Sequence, residues 1–218
     1  MRCTAPVTEW RRPLIDSRGF TLVELLVVIL ILSMLMALSM PVLSYARAKQ
    51  KKTVCKNDIE QLSLAISSYS TETGDFPPSR LGRGGNGQND GIESLLAHLM
   101  SRDNGGPFLT ELKEQQLENL DGDSLTDAAL AKTLDWTFGD LQLREYVDVW
   151  GNPYVYFHNR DYESTQSVQL PQAKKIVVSA GRSAKTATFY SPSSYQLWSL
   201  GPDGANAPPS DKDNIGSW

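Results

Sequence analysis

Glu24 is the one carboxylate in the run from Arg18 to Pro41, whose other residues read largely as lipid-soluble helix. A charge in such surroundings is costly unless a group of opposite sign meets it, so Glu24 is a candidate functional group whose partner must be found. The other reactive side chains match no catalytic pattern. His98 and His158 fall on a predicted helix and beside a predicted strand, without Gly-x-Ser-x-Gly or His-Glu-x-x-His, and each reads as a surface or satisfied core residue. Cys3 and Cys55 flank the apolar run, so a membrane between them would prevent pairing, and one cysteine beyond the run supports neither a disulfide framework nor a thiolate metal site. Asp121, Asp123 and Asp127 suggest an oxygen cage, but the Gly and terminal Glu of an EF-hand loop are missing, and the three read as the start of a helix. By residue type alone, Asp203, Asp211 and Asp213 read as an exposed acidic tail among turn residues.

The element that positions Glu24 is the apolar run itself. From Leu25 to Leu43 the only polar interruptions are Ser33 and Ser39, enough chain at about 1.5 Å per residue to cross most of a hydrocarbon layer of about 30 Å. A secretory signal peptide or uncleaved anchor is one reading. Against it, the run is followed by Pro41 and then bulky or charged residues rather than a small-residue cleavage site. The basic residues before the run (Arg2, Arg11, Arg12, Arg18) are balanced by Arg47, Lys49, Lys51, Lys52 and Lys56 after it, so charge asymmetry does not orient the segment. The chain of 218 residues has a net charge of −4, and its leader is more basic than the rest, so no nucleic-acid-binding field is expected.

Helical periodicity continues past Pro41, where a kink is expected but not a stop. Cys55, Ile59, Leu62, Ile66 and Tyr69 form one apolar stripe, with Cys55 a small core residue on it, and Gly74 with Pro77-Pro78 closes the helix. A continuous helix over 21–73 would be about 80 Å long. The Gly- and Asn-rich stretch 79–91 reads as a mobile loop, not a phosphate cradle, because no Gly-Lys-Ser/Thr follows. Short helices are expected over 91–100, 109–120 and 123–134, and short strands from Tyr146 onward: two around Gly151-Asn152-Pro153, a buried one in 174–181 and one in 194–204.

Arg18-Gly19-Phe20-Thr21-Leu22-Val23-Glu24, followed by Leu25 to Ile29, resembles the leader signal of type IV pilins and type II secretion pseudopilins. The resemblance implies cleavage by prepilin peptidase between Gly19 and Phe20, on the cytoplasmic side, with N-methylation of Phe20. Glu24 would then face the new ammonium of its own or a neighbouring subunit when helices bundle. Such a pair favours one axial register, since slippage strands two charges in a low dielectric. Pro41 falls where helices of this family bend. Type IV pilus subunits share these features but usually carry a C-terminal disulfide loop, absent here; a signal-anchored periplasmic enzyme or binding module is the alternative from another class.

Three further stretches resemble the type II secretion major pseudopilin in particular: Asp148-Val149-Trp150-Gly151-Asn152-Pro153-Tyr154, Leu197 to Gly204, and Asp213 to Trp218. The resemblance implies an α+β fold in which a long N-terminal helix packs on a small antiparallel sheet, here with a helical insertion. It divides the chain into a leader (1–19), a membrane and filament-core helix (20–43), an amphipathic stalk (44–76), a variable region (77–145) and a β-sheet region with a C-terminal calcium loop (146–218). Calcium is the implied cofactor, with the Leu200 carbonyl and Asp203 as ligands and Asp211 and Asp213 as nearby acids, Asn214 standing where the family's second acid sits. The implied role is structural, not enzymatic: a homopolymer, with minor pseudopilins and the inner-membrane assembly platform as partners. One pass through the inner membrane would leave the head in the periplasm, in a short filament that drives protein export.

Overall fold

The computed structural model describes residues 19–82, 85–102, 105–125, 131–132, 138–206 and 214–218, except for the side chains of 38–42. The chain divides into two compact units, Met1–Arg47 and Ala48–Trp218. Helix α1, Leu22–Thr73, runs through Pro41 without a stop. In the first unit its apolar side chains from Leu22 to Met36 stand exposed. Among the described residues no helix is long and apolar enough to cross a membrane; the apolar run read from the sequence passes through 38–42.

In the second unit, the stripe on α1 is the spine of the core. Cys55, Ile59, Leu62 and Ile66 are buried, together with Ala65, and Tyr69 packs beside them. They meet Ile92, Leu95, Leu96 and Leu99 of helix α2, Asp90–Met100, and Tyr146, Tyr154, Tyr156 and Leu197 from the strands. Helix α2 forms where its apolar residues recur at helical spacing and Asp90 and Glu93 favour the first turn. It approaches the strands closely: a Cβ on Gly91 would lie 2.3 Å from the Tyr156 carbonyl oxygen.

The strands form three small antiparallel ladders: β1 (Leu117–Glu118) with β2 (Glu145–Tyr146); β3 (Val155–His158), β6 (Tyr195–Ser199) and β7 (Ile215–Gly216) in the order β3-β6-β7; and β4 (Thr165–Gln169) with β5 (Lys175–Ser179). The architecture is α+β, as expected. Three local expectations are corrected. The 109–120 stretch is not a helix; it holds a single 3-10 turn, Glu114–Gln116, and then β1, because its leucines bury or half-bury at irregular spacing rather than along one helical face. Strand β5 is largely exposed, Val177 at 68%, because only alternate residues of an edge ladder face inward. The 79–91 stretch is anchored at its end: Asn89 is buried, its Oδ1 accepting from Gln169 N (2.9 Å) and its Nδ2 donating to Glu145 Oε1 (2.6 Å).

One buried charge was not anticipated. Asp58 sits on the inward face of α1, fully buried, and is met by Lys113 Nζ, Gln116 Nε2 (3.0 Å) and the Tyr154 hydroxyl (3.2 Å). Its spacing, three residues after Cys55 and four before Leu62, is the sequence signal that it faces inward.

Candidate functional site

At the start of α1, Glu24 closes a capping box. Its amide donates to Thr21 Oγ1 (3.2 Å), and its Oε2 accepts from the amide (2.9 Å) and hydroxyl (2.8 Å) of Thr21. Two of the amide donors that a helix N-terminus leaves unpaired are thereby satisfied. The Thr-x-x-Glu spacing ahead of an apolar run is the sequence signal for this arrangement, which gives Glu24 a local role besides that of half an ion pair. Gly19 and Phe20 lie just outside the helix, exposed. Pro41 is inside α1, and its side chain lies outside the described residues.

At the other end of the chain, the turn Gly201–Gly204 leaves β6 from a braced base. Asp148 accepts from the amides of Trp150 (2.8 Å) and Asn152 (3.0 Å), which shapes the Gly-Asn-Pro turn, and its second oxygen accepts from Ser199 Oγ (2.5 Å). The Asn152 side chain donates through Nδ2 to the Gly201 carbonyl (2.8 Å). Gly151 (φ 85°) and Gly204 (φ 58°) take left-handed conformations. Burial pushes the Asp148 carboxyl above its usual range, against the four hydrogen bonds that favour its charged form.

On this base Leu200 is buried and Asp203 is exposed, with one carboxylate oxygen accepting from Ala205 N (2.9 Å). Asp211 and Asp213 lie outside the described residues. The chain returns at Asn214, whose Oδ1 is buried without a hydrogen-bond partner, and β7 pairs Ile215 with Ser199 and Gly216 with Trp198. The loop is therefore pinned at both ends. A hard cation suits its donor set, which combines a carboxylate, an unsatisfied amide oxygen and turn carbonyls.

Both histidines are satisfied. His98 Nδ1 lies 2.8 Å from the Ser94 carbonyl, while the Ser94 hydroxyl donates to the Pro78 carbonyl. His158 meets Asp75 through Nε2 (3.2 Å) and the Arg160 amide through Nδ1 (3.1 Å). The Cys55 thiol is buried and pushed up by that burial, as a core residue would be.

Residues 16–40 match the family model described as the prokaryotic N-terminal methylation motif. The chain is also 26% identical over 138 residues to "Type II secretion system core protein G" of Pseudomonas aeruginosa, covering 63% of this chain and 71% of that protein. That alignment is much longer than the motif. The chain is thus similar to a type II secretion pseudopilin over most of its length and carries the methylation motif at its N-terminus. No solved structure matches it. The two ends just described fall in separate units: the capped N-terminus begins the helix that carries the motif, and the pinned loop belongs to the unit Ala48–Trp218.

Proposed function

We propose that this pseudopilin is cut by prepilin peptidase between Gly19 and Phe20 and held in the inner membrane by one apolar helix with its head in the periplasm. It then polymerises with itself and with minor pseudopilins on the assembly platform. Its role is structural: as a short filament it drives protein export. The observation that carries this reading is the similarity to a type II secretion core protein, which extends far beyond the N-terminal motif. The uncovered apolar surface of α1 from Leu22 to Met36 supports it, because a surface of this kind requires lipid or neighbouring helices as cover.

Glu24 has two successive partners in this scheme. Before processing, the Thr21 amide and hydroxyl hold its charge. After processing, the new Phe20 ammonium of the same or an adjacent subunit becomes available and sets the axial register of the polymer. Pro41 is the assigned bend in the assembled helix.

Calcium is proposed as the ion of the C-terminal loop, held by the Leu200 carbonyl and Asp203 with Asp211 and Asp213, and with Asn214 Oδ1 as a neutral donor. The unpartnered Asn214 oxygen supports this assignment. Bound there, the ion would clip a loop that has almost no apolar residues to hold it.

The test is mass spectrometry of the mature N-terminus combined with export by a strain whose only copy carries Glu24→Leu. N-methylated Phe20 in the parent and lost export in the variant are expected. Retention of Met1, or unimpaired export and filament formation by Glu24→Leu, would refute the scheme. For the loop, Asp203→Asn should lower the calcium-dependent part of the melting temperature; an unchanged calcium response would remove the loop assignment.

A further inference from the structure

A second group of acids lies in the variable region. Glu93 on α2 is 1% exposed, and neither of its carboxylate oxygens has a hydrogen-bond partner. Its ligand oxygen and those of Asp121, in the turn after β1, and Glu145, on β2, all lie within 4.8 Å of one another. Asp90 Oδ1, Asp121 Oδ2 and Asp123 Oδ1 are also buried without partners. Among the described residues no salt bridge reaches Glu93, Asp121, Asp123 or Glu145; Arg80, which acts on Asp90, pairs with Asp161 at 3.4 Å.

An unpaired carboxylate so far from water is strongly unfavourable, so the cluster needs either a proton or a cation. Burial, reinforced by the neighbouring acids, pushes Glu93 up to about 11 and Glu145 up to about 7. The surrounding hydrogen bonds favour charge: Glu145 accepts from Asn89 Nδ2 (2.6 Å) and Leu120 N (2.9 Å), and Asp123 accepts from Asn86 N (3.1 Å). The Asn119 side chain holds the turn by accepting from the amides of Gly122 (2.7 Å) and Asp123 (3.2 Å).

We propose that Glu93, Asp121 and Glu145 form a binding site for a hard divalent cation of the calcium class, with Asp90 and Asp123 around it. The donors are all carboxylate oxygens, without sulfur or imidazole, which selects hard ions over zinc or copper. Oxygens bound to one calcium ion at about 2.4 Å lie at most about 4.8 Å apart, a limit within which all three ligand oxygens fall. The ion would tie α2, the 119–123 turn and β2 together, fastening the variable region to the head. This site is separate from the C-terminal loop and does not depend on it.

The test uses the full-length chain in detergent, stripped with chelator and dialysed against radioactive calcium, in the parent and in an Asp203→Asn background. Asp121→Asn and Glu93→Gln should each lower bound calcium by about one ion per chain in both backgrounds, and should abolish the rise in melting temperature that calcium produces in Asp203→Asn. In chelator, Glu93→Gln should melt no lower than its parent, because it removes an acid without a counter-ion; this separates lost binding from lost folding. The same calcium count in parent and both variants would overturn the proposal. So would an Asp203→Asn chain whose melting temperature ignores calcium, or a Glu93→Gln variant that melts lower in chelator.

Discussion

Raising the pH of the metal-free protein from 7 to 8.5 should destabilise it, and Glu93 should account for the change. Its carboxyl, ordinarily at 4.5, is pushed up to about 11. In this pH range the folded chain therefore holds a proton on Glu93 that the unfolded chain has released. Stability falls with rising pH wherever the folded state binds more protons, here from the ordinary carboxylate range up to the raised value. One proton corresponds to about 1.4 kcal/mol per pH unit, so about 2 kcal/mol over the 1.5-unit interval. Among the described residues the groups facing Glu93 are Asp90 on its own helix, Asp121 and Asp123 on the turn and Glu145 on β2; all of these are acids. Asp123, pushed up to about 6, and Glu145, at about 7, lose most of their effect below this window. His98, held low by burial, acts below neutral pH and in the opposite sense. The assay is urea unfolding in chelator, followed by tryptophan fluorescence at both pH values. With a slope of about 2 kcal/mol per molar urea, the midpoint should fall by about 1 M. Glu93→Gln should be nearly flat across the same interval. A parent midpoint that is flat or rises, or a Glu93→Gln variant that falls as steeply as the parent, would refute the reasoning.

Gly91→Ala should destabilise by about 1–3 kcal/mol despite the better helix propensity of Ala, because the new methyl would sit 2.3 Å from the Tyr156 carbonyl oxygen; thermal unfolding checks this. Leu62→Ala, at a position 1% exposed in the stripe of α1, should cost about 2–5 kcal/mol in denaturant titration. Lys113→Met should cost about 1–3 kcal/mol, since buried Asp58 would keep only the hydrogen bonds from Gln116 and Tyr154; restoring Arg at 113 should recover part of the loss in the same titration.

Local order was legible wherever periodicity or a dense motif carried it. The spacing of Cys55, Ile59, Leu62, Ile66 and Tyr69 anticipated which face of α1 is buried, and the apolar repeat in 91–100 anticipated α2, because a helix repeats its burial every three or four residues. The leader motif and the three head motifs anticipated the family, since they are short and contiguous. Non-local pairing was decided by the tertiary structure. Asp148 was legible only as part of a motif ahead of the Gly-Asn-Pro turn, yet it accepts a hydrogen bond from Ser199, 51 positions away, at the base of the C-terminal turn. The leucines of 109–120 suggested a helix, but half-burial at irregular spacing turned the segment into a 3-10 turn and a short strand. Asp121 looked like part of a helix start and Glu93 lay unremarked in a helical stretch, yet the fold brings both to Glu145. Sequence spacing reports which neighbours share a face along the chain; carboxylates from a helix, a turn and a strand become neighbours only when packing closes the long loops between them.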